Sequence, residues 1–143
     1  MSDSQKCACE PSEVLFFPCS GGSNCGQIAH HAAVELAKAG RGKLFCLAGM
    51  GGHVKGLIES AKAAKVLVAI DGCPALCAKK TLEHADLPPQ IHLVVTELGI
   101  EKKSGHLDFS EEELAVCRDR LAQELQARVA LASPREERAA STP

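Results

Sequence analysis

The chain has no tryptophan and no tyrosine, and only four of its 143 residues are phenylalanine. A core built from it is therefore aliphatic, filled by Val, Leu, Ile and Ala. Neither sign of charge dominates, since the formal net charge is −2. That balance provides neither the basic footprint of a nucleic-acid surface nor a polybasic membrane patch, so neither partner is expected. No apolar run is long enough to cross a bilayer, and residues 1–6 lack the apolar stretch of an export signal. The expectation is a cytoplasmic chain folded as one domain.

Against these absences stand eight cysteines: Cys7, Cys9, Cys19, Cys25, Cys46, Cys73, Cys77 and Cys117. In a reducing compartment, clustered thiols bind metal or carry thiol chemistry more often than they form structural disulfides. A disulfide scaffold also needs the export signal that is missing.

Four short apolar segments read as strands covered on both faces: residues 14–17, 43–47, 66–70 and 91–96. Helical periodicity fills the gaps. Ile28, Ala29, Ala32, Ala33 and Leu36 form one stripe, ended by Gly40. Val54, Leu57, Ile58 and Ala61 form a second. A third helix is expected to begin at Pro74 and carry Ala75, Ala78 and Leu82. Ser110 through Glu113 is a capping box, and Phe109 with Leu114 fits a hydrophobic staple, so a last helix starts there. Cys117 sits on its apolar stripe beside Leu114, Leu121 and Leu125, as a core residue would. The pattern predicts a single α/β domain of the Rossmann-like, three-layer type. It has about four mainly parallel strands in order 2-1-3-4, with helices on both faces. Its expected bounds are 13–132, between a flexible segment at 1–12 and a disordered tail at 133–143.

In such sheets ligands bind beyond the carboxyl ends of the strands. Cys19 follows the first expected strand and Cys46 lies near the end of the second. Cys73 follows the third, with Cys77 four residues later. Thiols from three separate segments thus converge on one edge, which suits a metal ion. With Pro74 at the first helical position, Cys73 falls at the N-cap and Cys77 one turn inward. Their β-carbons would be ~6 Å apart on one helix face. Zinc is favoured over an iron–sulfur cluster, because the cysteines are spread among strand ends rather than packed in a compact run. Iron stays open as an alternative, since a tetrahedron of sulfurs suits it too.

Cys25, His53 and Asp71 are accessory candidates: an extra thiol, a histidine beside the expected Gly49–Gly52 loop, and a carboxylate able to orient the Asp-Gly turn. The enzyme alternative is a thiol–disulfide oxidoreductase or redox sensor using Cys19 with Cys25, or Cys73 with Cys77. The loop after the first strand resembles that of low-molecular-weight tyrosine phosphatases. Those need a cysteine, five residues and then an arginine, and here that sixth position after Cys19 holds Cys25. No complete catalytic constellation is readable. Cys7 and Cys9 lie in the expected N-terminal arm.

Pro18-Cys19-Ser20-Gly21-Gly22-Ser23-Asn24, Phe45-Cys46-Leu47-Ala48-Gly49, Gly51-Gly52-His53, Asp71-Gly72-Cys73-Pro74 and Cys77-Ala78-Lys79-Lys80 resemble the DGC-domain family, named for its Asp-Gly-Cys motif. Thr96 through Lys102 resembles that family's last motif block. The likeness runs in order over residues 14–103. It implies zinc chelation by four cysteines, which transfers to Cys19, Cys46, Cys73 and Cys77. It implies little about biochemistry.

Overall fold

Leu15 and Phe17 face one side of the sheet and Phe16 the other, as the period-2 alternation of a strand requires. The helices divide between those sides accordingly. The computed structural model describes residues 13–140, with side chains up to residue 128; Cys7 and Cys9 lie outside the described residues. The elements are β1 (Val14–Pro18), α1 (Asn24–Lys38), β2 (Lys43–Leu44), α2 (Leu47–Gly51), α3 (Lys55–Ala63), β3 (Val66–Asp71), α4 (Cys77–His84), β4 (Ile91–Val94) and α5 (Glu111–Ala140). A 3₁₀ turn, Val95–Leu98, follows β4. α5 runs past Ser133, where a tail was expected to begin.

The sheet is four-stranded and wholly parallel, in order β2-β1-β3-β4. This is a single α/β domain with a Rossmann-like arrangement. β1 and β3 run in register from Val14 opposite Val66 to Pro18 opposite Ile70. On one face α1 and α5 cover Phe16, Val68, Ile70 and Leu93, contributing Ile28, Ala32, Leu36, Cys117 and Leu121. On the other face Leu15, Phe17, Leu67 and Ala69 pack under Met50, Ala61, Ala78 and Leu82 from α2, α3 and α4. Each large aliphatic side chain so buried contributes roughly 1.5–3 kcal/mol.

Local signals explain where several helices begin. Ser23 caps α1, its hydroxyl accepting the Gly26 N–H at 3.1 Å. The capping box of α5 is reciprocal. Glu113 N–H donates to the Ser110 hydroxyl at 3.1 Å, and Ser110 N–H to the Glu113 carboxylate at 3.0 Å. Phe109 and Leu114 both join the α1/α5 core.

Two boundaries differ from the sequence expectation. The second strand was expected over 43–47, but β2 has only two residues, because Cys46 turns the chain into α2 as its N-cap. Part of the expected loop before His53 is therefore helical. The third helix was expected at Pro74 with Cys73 as cap, yet α4 starts at Cys77 and its N-cap is Leu76, left-handed at φ 57°. Leu76 offers no side-chain acceptor. Two of the orphan N–H groups of α4 are satisfied from seven and eight residues back: Asp71 accepts Ala78 N–H at 2.7 Å and Lys79 N–H at 3.2 Å.

Candidate functional site

The strand order places the site. From β1 the chain steps to β2 on one side, then returns across β1 to β3 and continues to β4 on the other. The order thus reverses between β1 and β3, and a crevice opens beyond their carboxyl ends. Cys19 leaves β1 there and Cys73 follows β3 one residue past Gly72.

The β3–α4 turn and the start of α1 touch main chain to main chain. A β-carbon on Gly72 would lie 2.7 Å from the Gly26 nitrogen and 2.8 Å from the Cys25 carbonyl carbon. Cys19 N–H donates to the Ile70 carbonyl at 2.9 Å, and its Sγ accepts the Gly72 N–H at 3.3 Å. The Cys19 loop is thus tied to β3 by both backbone and sulfur. Burial raises the Cys19 thiol above its ordinary range. Backbone N–H groups of Gly21 and Gly72 oppose that shift, while the nearby Asp71 and Cys77 charges add to it.

Cys19, Cys73 and Cys77 line one cleft of about 210 Å³, together with Gly21, Gly72 and Lys102. Lys102 Nζ donates to Cys73 Sγ at 3.4 Å. Its position is fixed by Asn24, whose amide is buried at the start of α1. Asn24 Nδ2 donates to the Glu101 carbonyl at 2.8 Å, and its Oδ1 accepts the Lys103 N–H at 2.6 Å. Those bonds hold the backbone on either side of Lys102, and a bridge between Ser23 and Ser104 extends the seam. Lys79, two residues beyond Cys77 on α4, pairs with Glu83 at 3.7 Å. The role of Lys102 was missed, although it closes the last of the motif blocks.

Cys46 stands on the neighbouring side. Exposed at the N-cap of α2, its Sγ accepts the Gly49 N–H at 3.3 Å. It lines a second cleft of about 480 Å³ with Cys19, Ser20, His30, Phe45 and Thr81. Cys19 is the wall common to both clefts. Among the described residues no three Cys, His, Asp or Glu side chains are gathered closely enough to hold a metal ion. All six described cysteines are free thiols.

The accessory candidates separate. Cys25 is fully buried in the α1/α5 core, with Sγ 3.8 Å from the Ile100 carbonyl, and burial raises its pKa, helped by the Glu113 charge. Cys117 is buried in the same core and pushed up to about 12, chiefly by burial. Asp71 is buried as the remote cap of α4 and pairs with His92 Nε2 at 2.9 Å, which orients the turn carrying Cys73. His53 lines neither cleft. Its Nε2 lies 3.2 Å from Nδ1 of His84 on the exterior. The donor chemistry suits a thiophilic cation: four thiols in the turns after the strands and at the starts of α2 and α4, three of them already accepting N–H hydrogen bonds.

The family model of the DGC domain matches residues 15–121. "Anaerobic and virulence modulator AnvM" of Pseudomonas aeruginosa is 37% identical over 91 residues, covering 64% of this chain and 70% of that protein. No solved structure matches the chain.

Proposed function

The chain belongs to the DGC domain family, and from that premise we propose that it binds one zinc ion through Cys19, Cys46, Cys73 and Cys77. The role is structural or metal-handling, in the cytoplasm. The observation that carries this reading is the set of donors aimed at sulfur: Gly72 N–H on Cys19, Gly49 N–H on Cys46 and the Lys102 ammonium on Cys73. Such donors offset the charge of about −2 that four thiolates leave on Zn²⁺, and at Cys19 the Gly72 N–H opposes the rise that burial causes. Bound zinc would supply a cross-link between three loops and no open position for water. Cys46 and Cys77 are exposed, so loading orders their loops against the tied Cys19 loop. The relative's name, a modulator, is in keeping with a regulatory role rather than a hydrolytic one.

The test is metal analysis of protein purified under reducing conditions, paired with a free-thiol count. About one zinc per chain is expected, with loss of metal on Cys→Ser replacement at any of the four positions. Metal-free, stable protein that forms a reversible disulfide between Cys73 and Cys77 would replace this reading with the thiol–disulfide one.

A further inference from the structure

Away from the cysteines, two imidazoles meet on the surface. His53 follows α2 and His84 ends α4, 31 residues apart in sequence, yet His53 Nε2 and His84 Nδ1 are 3.2 Å apart. Their rings are edge-on, with centroids 5.2 Å apart and planes at 66°. Both side chains are exposed. His53 is held in the left-handed region at φ 52°, with its N–H bonded to the Met50 carbonyl at 3.2 Å, so the turn fixes where the ring projects. α2 packs on α4 here, and Gly51 comes close enough that a β-carbon on it would lie 3.6 Å from the Thr81 methyl.

We propose that His53 and His84 form a second metal site, a bidentate imidazole pair for a divalent first-row cation such as Ni²⁺ or Zn²⁺. Two nitrogens on one tetrahedral ion such as Zn²⁺, each about 2.0–2.1 Å from it, lie about 3.3 Å apart; at right angles on a tetragonal or octahedral ion such as Ni²⁺ they lie about 2.9 Å apart. The observed 3.2 Å lies between those two bites. Imidazole suits these ions, in contrast to the soft thiolates of the carboxyl edge. His84 lies in the last turn of α4, where the exposed carbonyls favour positive charge. No third described side chain joins the pair, so the other positions belong to solvent or to an incoming ligand, and the site is open. Binding requires lone pairs on both facing nitrogens, so the ring that donates in the free protein carries its hydrogen on its other nitrogen once the ion is bound. The site does not rest on the thiolate reading, and it holds whether or not zinc occupies the four cysteines.

The experiment is a Ni²⁺ titration of the full chain, performed both metal-free and after loading with a single equivalent of Zn²⁺, which the thiolates take first, followed by imidazole NMR and calorimetry. The expected result in the zinc-loaded protein is one Ni²⁺ per chain, with His53 and His84 resonances broadened first and together. His53→Ala and His84→Ala should each weaken that binding by about 100-fold, the loss expected when a chelate becomes a single ligand. His106→Ala should leave it unchanged. Equal broadening of all histidines, or binding insensitive to His53→Ala, overturns the proposal. Failure to retain Zn²⁺ while the His53 and His84 signals still respond to Ni²⁺ would count against the thiolate site alone.

Discussion

Among the described residues, the core on the α1/α5 side of the sheet holds 17 buried residues, and the one under α2, α3 and α4 holds eight. The difference in mass is matched by a difference in chemistry. The heavier side locks its cysteines, Cys25 and Cys117, in a closed interior where burial keeps them protonated. The lighter side leaves Cys46, Cys77, His53 and His84 exposed on short helices. One face supplies stability and the other supplies accessible ligands, with Cys19 at the seam between them.

The comparison is broken most directly by cavities. Leu121→Ala, on the heavier side and fully buried, should cost about 2–5 kcal/mol in denaturant unfolding. Leu57→Ala, half-buried on the lighter side, should cost less than half as much; equal costs would end the asymmetry. Next comes Asp71→Ala, which strips α4 of its remote cap and leaves His92 unpaired. A loss of about 1.5–3 kcal/mol is expected, since the acceptor is a buried carboxylate. The same variant should speed alkylation of Cys77 without exposing Cys117.

A third measurement uses alkali. Burial raises Cys117 from 9.0 to about 12. Between those values the unfolded chain gives up this proton and the folded chain keeps it. Stability is therefore fully present below pH 9.0 and falls as pH climbs toward 12. The slope reaches at most about 1.4 kcal/mol per pH unit for one thiol. Cys117→Ala should flatten that decline, whereas Cys46→Ala, on the exposed side, should leave it steep. The smallest effect belongs to Ser110→Ala, which removes one half of the α5 capping box and should cost about 1 kcal/mol.

What the sequence made legible was local. β1 and β3 were readable because buried parallel strands are continuous apolar runs. The α5 start was readable because its two capping partners are three residues apart. Cysteines at strand ends could be placed on one edge because parallel topology puts all carboxyl ends together. What escaped was held across the chain. Asp71 caps a helix from outside it, so Pro74 looked like a helix start when Leu76 in fact turns the backbone. Lys102 meets Cys73 over 29 residues, and His53 meets His84 over 31. No periodicity encodes such encounters. The short β2 shows the opposite error: an apolar stretch extended the strand on paper, while the Cys46 side chain capped a helix instead.

Where Gly72 rests on the backbone of Cys25 and Gly26, nothing but peptide separates the turn carrying Cys73 from the start of α1, which the Cys19 loop leads into. Their spacing is consequently a property of main-chain thickness, insensitive to which residues line the crevice above. A methyl group introduced at Gly72 would act as a wedge between the Cys73 turn and α1, and would strain the Gly72 N–H bond that holds Cys19 Sγ. The width of the thiol cradle is thus set by a residue that contributes no side chain to it.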